Sequence, residues 1–267
     1  MFVNLVILVY NFFTIIYDMQ EERKPRVAVL FFGLTRSLEN TVESIQQHIF
    51  QPILDTGMEY DVFMHTYVIH GEYYNRWSAE DLKEYDNEQY KWLNPRYFIT
   101  DVQSEILSNV INVEDYYTNL GTWSGFEQDL TRYLIRNMVL ALYSKKRITE
   151  LFEEHRQEYD YVIISRPDLK FTHPITWKDM INTLTNYNII IPNQDWWLGC
   201  NDKFCICKPD VGILVGKLYD NLLLYSKYKS INSEWFFKDM LDTFKIHILP
   251  FEIHHEIIRA KNKDLSL

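Results

Sequence analysis

Residues 27–33, VAVLFFG, form an unbroken apolar run closed by a glycine, and YDVFMHTYVI at 60–69, rich in β-branched and aromatic residues, reads as a second strand. Between them, LTRSLENTVESIQQHIFQPIL places Leu38, Val42, Ile45, Ile49 and Ile53 at three- and four-residue steps, the stripe of a helix packed on one side. A strand, a tight turn, a helix and a second strand make a β-α-β unit. Its strands should run parallel through a right-handed crossover, the only hand that packs the helix back onto a right-twisted sheet.

The rest of the chain continues the alternation. Residues 70–96 are polar and aromatic with weak periodicity, which predicts an excursion outside the sheet, and RYFITDV after them reads as a short strand. The spacing over 127–155 gives the strongest helical pattern in the chain, and it leads into the strand YDYVIISRPDLKF at 159–171. Strands are predicted at NIIIPN, FCIC and KIHILPFEI, with a helix from Ser233 to Thr243. The pattern predicts an α/β fold, Rossmann-like, with a mostly parallel central sheet flanked by helices. No repeat, low-complexity tract or Gly/Ser linker divides the 267 residues.

A formal net charge of −10 argues against a nucleic-acid partner, so any phosphate ligand requires a local basic pocket. Cys200, Cys205 and Cys207 lack the paired spacing of a zinc site and read as reduced, partly buried thiols. The apolar stretch 2–17 is shorter than the roughly 20 residues that span a bilayer. It reads either as a weak membrane anchor or as an extension ahead of a true start at Met19. Arg23, Lys24 and Arg26 behind it favour a cytoplasmic protein or one on the cytoplasmic face of a membrane.

In an open α/β sheet, ligands bind at the carboxyl ends of the strands. Three such ends carry chemistry: Gly33-Leu34-Thr35-Arg36-Ser37, His65-Thr66-Tyr67 and Arg166-Pro167-Asp168. The first offers backbone N–H groups, two hydroxyls and a guanidinium for a diphosphate, or else a plain helix cap by Thr35 or Ser37. At the third, Asp168 would bind a divalent metal (Mn or Mg) bridging a diphosphate while Arg166 neutralises the departing phosphate, or the two form an ion pair that closes the strand. Pro167 removes a ladder donor and stiffens the turn. As a strand-end residue, Asp168 is expected to be exposed, so that Asp168→Ala should leave the melting temperature nearly unchanged.

The ordered series GLTRS, DVFMHTY, YDYVIISRPDLKF and GCNDKFCI, spanning most of residues 27–215, resembles a group of GT-A-type glycosyltransferases. The resemblance implies a GT-A-like catalytic domain over 19–267, a nucleotide-sugar donor as co-substrate, and a segment after the fourth strand that contacts the diphosphate and any metal. GT-A enzymes commonly carry Asp-x-Asp at that strand end, and this chain has none. Either Asp168 holds a metal together with the diphosphate and a late histidine, His254 or His255, or Arg166 and Arg36 act in its place.

Transfer to a hydroxyl on a glycan acceptor calls for a base, and Asp195, Asp202 and Glu234 are the candidates. Trp196, Trp197 and Trp235 beside them would stack on acceptor sugars, or simply pack. Glycosyl transfer is therefore expected. A sulfotransferase-like enzyme using the Gly33–Ser37 turn and a non-catalytic carbohydrate-binding protein are the competing readings.

Overall fold

The computed structural model describes residues 23–117 and 128–260. The stretch 2–17 lies outside the described residues. Strand β1 (Arg26–Phe32) sends Ala28, Leu30 and Phe32 into one core and Val27, Val29 and Phe31 into another. Residues apolar on both faces place a strand in the middle of a sheet covered on both sides, where each fully buried Val, Leu or Phe contributes about 1.5–3 kcal/mol. The stripe that follows becomes a 3-10 turn (Leu38–Asn40), α1 (Val42–Ile45), a π-helical stretch (Gln46–Phe50) and α2 (Gln51–Asp55), burying Leu38, Ile45, Ile49 and Ile53.

Strand β2 (Glu59–Val68) pairs parallel with β1, in register from Arg26 opposite Glu59 to Phe32 opposite His65. The polar, aromatic excursion makes its own antiparallel hairpin, β3 (Tyr73–Asn75) and β4 (Glu80–Leu82), outside the main sheet. Next come β5 (Tyr97–Val102), parallel to β2, then α3 (Gln103–Asn109) and α4 (Gln128–His155). Met138, Ile148 and Phe152 of α4 pack on the first core.

Strand β6 (Tyr161–Ser165) pairs parallel with the other side of β1 and is followed by β7 (Leu169–Phe171) and α5 (Trp177–Ile181). The remaining elements are β8 (Asn188–Pro192), β9 (Phe204–Cys207), α6 (Pro209–Gly216), α7 (Tyr219–Ser226), α8 (Ser233–Thr243), β10 (His247–Phe251) and β11 (His255–Ile257). The sheet order is β10-β8-β9-β6-β1-β2-β5. All of these strands run parallel except β9, which is antiparallel to β6 and β8. The fold is α/β with a mostly parallel, two-sided central sheet.

Two features of this topology position the site. Strand β1 has β2 on one side and β6 on the other, so the strand order switches at β1 and a crevice opens at its carboxyl end. Gly33 turns the chain there at φ +99°, a conformation that glycine adopts without a Cβ penalty. In addition, β11 pairs antiparallel with β7, which lays the C-terminal segment beside the end of β6. Among the described residues, no helix is long and apolar enough to cross a membrane.

Candidate functional site

The crevice is a cavity of about 600 Å³. Gly33, Arg36, Tyr67 and Arg166–Asp168 come to it from the ends of β1, β2 and β6. Tyr74, Asn75 and Trp77 of the hairpin and Arg136 and Asn137 of α4 line it too, as do Asp195, Trp197, Asp202, Lys203, Glu234 and Arg259.

At the end of β6, Arg166 Nε donates to Asp168 Oδ1 at 2.8 Å and its Nη2 donates to Oδ2. Arg259 Nη1, carried in beyond β11, lies 3.5 Å from the same Oδ2. Asp168 is 2% exposed, so the expectation of an exposed carboxylate is overturned. The antiparallel pairing of β11 with β7, which the local pattern did not reveal, contributes to covering it. Burial pushes its carboxyl up, but Arg166 and Arg36, with Arg259, hold it below the ordinary carboxylate value. Burial pulls the Arg259 guanidinium down, as does the neighbouring Arg166.

Arg36 is anchored from behind. Its Nε donates to Glu80 Oε1 at 2.6 Å, its guanidinium lies 5.4 Å over the Tyr73 ring, and Glu80 also accepts from Ser78 Oγ and from the Ala260 N–H. Glu80 thus ties the β1 turn, the hairpin and the C-terminal segment together through a carboxylate with no side-chain exposure.

A second cluster surrounds Lys203, whose Nζ lies 3.4 Å from both Asp202 Oδ1 and Glu234 Oε1. The environments push the two carboxylates in opposite directions. Burial raises Glu234, with Asp202 adding repulsion, whereas Lys203, Lys145 and Arg166 overcome burial and lower Asp202. Lys145, buried on α4, donates to the Asp202 carbonyl at 3.1 Å, and Ser233 Oγ donates to Glu234 Oε2 at 2.9 Å. Two nearby carboxylates with divergent affinities for protons form an arrangement suited to accepting one.

Between the clusters runs the loop Asp195–Gly199. Asp195, Trp197 and Leu198 hold φ of +56°, +39° and +67°, a left-handed conformation that side chains other than glycine seldom adopt. Asp195 Oδ2 lies 3.7 Å from Nε2 of His255, whose ring is fully buried and whose pKa burial lowers to about 4, against the pull of Asp195. Trp197 is exposed at the cavity rim. Trp235 donates from its indole N–H to the Trp197 carbonyl at 3.0 Å and lines an adjoining cavity of about 360 Å³ with Tyr225 and Lys229. Trp196 lies at neither cavity; its indole donates to the Pro192 carbonyl at 2.6 Å and its ring packs on the core.

Other candidates also turn away from the cavity. Thr35 is buried against Tyr85, and Ser37 Oγ is buried without a partner and makes no cap bond. The Gly33 N–H donates to Ser144 Oγ at 2.7 Å. Ser144 Oγ is 2.6 Å from His65 Nδ1, and His65 Nε2 is 3.1 Å from Asp101 Oδ2, which also accepts from Arg147. Burial lowers the His65 pKa, and a neutral ring that donates to Asp101 and accepts from Ser144 satisfies the whole chain. This network sets the β1 turn from behind.

For a divalent metal the donor set fits poorly. Both Asp168 oxygens are engaged by guanidinium, His254 meets His173 edge to face at 5.4 Å outside the cavity lining, and His255 is buried beside Asp195. Among the described residues, no group of three or more His, Cys, Asp or Glu could hold a metal ion.

Sequence reasoning missed Arg259, Lys203 and Glu80. Lys203 stood next to Asp202 and could have been flagged as its counter-charge, while Arg259 and Glu80 lie in segments with no local signal.

No family model matches this sequence, and no curated relative does. Among solved structures, the chain is similar to mouse xyloside xylosyltransferase 1 in its apo form, at 14% identity over 85% of each chain with a TM-score of 0.41. It is also similar to a protein described as a nucleotide-diphospho-sugar transferase from Desulfovibrio desulfuricans G20, at 13% identity over 85% of this chain and 80% of that one, with a TM-score of 0.37. Likenesses this distant assign no activity to the chain.

Proposed function

We propose that this chain is a GT-A-type glycosyltransferase that moves a sugar from a nucleotide-diphosphate donor to a hydroxyl on a glycan acceptor. The observation that carries the reading is the meeting, in one cavity at the strand switch point, of a guanidinium cluster and a carboxylate pair that differs in proton affinity. Guanidiniums suit a diphosphate leaving group, and a carboxylate raised above its ordinary value suits a proton acceptor. A carbohydrate-binding protein would need neither.

In this reading the diphosphate lies against Arg36 and Arg166, and the acceptor sugar against Trp197, with Trp235 behind it. The acceptor oxygen attacks the anomeric carbon while its proton passes to Glu234. The bond from that carbon to the diphosphate oxygen breaks, its electron pair stays on the oxygen, and the guanidiniums balance the new charge. Glu234 later releases the proton to solvent. Asp202, held ionised by Lys203, keeps Glu234 basic, and Asp195 orients acceptor hydroxyls.

The test is a thermal-shift panel of UDP, GDP, CMP and adenosine bisphosphate, followed by incubation with the sugar conjugates of any base that binds and measurement of nucleotide release. Stabilisation by UDP, GDP or CMP and release from the matching conjugate are expected. A response confined to adenosine bisphosphate would favour sulfuryl transfer, and silence from every nucleotide would remove the enzyme reading.

A further inference from the structure

The cation trio at the carboxyl ends of β1 and β6 bears on how a diphosphate is held. Arg36, Arg166 and Arg259 all line the cavity. Each is gripped by a carboxylate: Arg36 by Glu80, and Arg166 and Arg259 by Asp168. Three cations against two anions leave one positive charge within the group. Hydrogen-bonding capacity is left over as well. Arg166 uses Nε and Nη2 on Asp168, Arg36 uses Nε on Glu80, and a guanidinium has five N–H donors in a rigid fork.

A metal would have to compete for the same carboxylates. Binding a cation at Asp168 would take the carboxylate from the half-buried Arg166, and Glu80 is already held by Arg36, Ser78 and the Ala260 N–H. An anion relieves the site instead, because it supplies the charge that the mutually repelling Arg259 and Arg166 lack.

We infer that the diphosphate is held by a guanidinium clamp of Arg36, Arg166 and Arg259 without a bridging divalent cation, and that the C-terminal segment completes the clamp by delivering Arg259. The inference rests on the proposed nucleotide-sugar reading and deepens it. Arg259 enters through three backbone anchors: β11 pairs with β7, the Ile258 N–H donates to the Asp168 carbonyl at 2.9 Å, and the Ala260 N–H donates to Glu80 at 2.9 Å. The third arm is therefore positioned by the same carboxylate-bearing segments that position the other two.

Calorimetric titration of the full chain with UDP, GDP and inorganic pyrophosphate, in excess EDTA and again in manganese, tests this. Equal affinity in both media is expected. Arg259→Ala should weaken binding roughly ten- to a hundredfold, and Arg259→Lys should recover only part, because an ammonium is a point charge and cannot fork. Binding that requires manganese would overturn the clamp while leaving the glycosyltransferase reading intact. Undiminished binding by Arg259→Ala would remove Arg259 from the clamp, and no binding of any nucleoside diphosphate in either medium would sink the function itself. The wild-type comparison between media decides the metal question even where a variant folds poorly.

Discussion

A Cβ built on Gly199 would sit 2.2 Å from the carbonyl carbon of Glu234, so the loop that carries Asp195 and Trp197 touches the backbone of the first turn of α8 with no room for a side chain. The Cys200 N–H donates to the Glu234 carbonyl at 3.2 Å and locks the contact. The acceptor-side loop and the proposed base thus move as one piece.

Gly199→Ala should therefore damage both stability and turnover. Forcing a methyl against backbone is expected to cost about 1–3 kcal/mol or more. Urea unfolding should show a lower midpoint, and nucleotide release should fall even at temperatures where the variant remains folded, because Glu234 and Trp197 are displaced together.

Glu234→Gln keeps the shape of the side chain and removes its basicity. Turnover is expected to fall by about 10²–10⁴, with donor affinity little changed. The wild-type pH profile should show an acid limb above the ordinary carboxylate range, since the group is raised, and the limb should vanish in the variant. The stability effect has the opposite sign: a raised carboxyl contributes stability at low pH that is lost as pH rises through its folded value, so the variant should lose less stability over that interval. A profile whose acid limb survives the substitution would assign it to another group.

Asp168→Ala is expected to destabilise the protein by about 1–3 kcal/mol, because it removes a buried carboxylate and leaves the half-buried Arg166 without its partner. Replacing both partners by apolar residues should be milder than the single change. Since the Asp168 pKa is lowered, its contribution is present above the ordinary carboxylate value and is lost as pH falls through the folded value. A melting temperature unchanged from the wild type would show that the ion pair contributes nothing net.

His255 should make the fold acid-sensitive above the carboxylate range. Its folded pKa is lowered from 6.5 to about 4, so below 6.5 the unfolded chain takes up a proton that the folded chain refuses. Stability should decline across that window by up to about 3 kcal/mol. His255→Gln should flatten the slope between pH 6.5 and 4 in a series of chemical unfolding curves. His65 is shifted in the same direction by burial, so some slope should persist.

A local removal tests the network behind the β1 turn. Ser144→Ala leaves the buried His65 Nδ1 and the half-buried Gly33 N–H without their partner, at a cost of about 1–3 kcal/mol. Combined with His65→Leu, the loss should be less than additive, as measured in a double-mutant cycle.

The sequence by itself determined most of the order of elements, the two-sided sheet and the strand ends where ligand chemistry collects, because apolar periodicity and Gly or Pro punctuation act over a few residues. It named Arg36, Arg166, Asp168, Asp195, Trp197, Asp202 and Glu234, all of which line the cavity. Which way a side chain faces and what it pairs with were decided only by the tertiary structure. Thr35, Ser37 and Trp196 sit within stretches of the right composition but turn inward. Glu80 holds Arg36 across 44 residues and Arg259 reaches Asp168 only through β11. Burial and ion pairing depend on contacts between distant segments, and it is these contacts that made Asp168 a buried anchor for guanidinium and set the opposed proton affinities of Asp202 and Glu234.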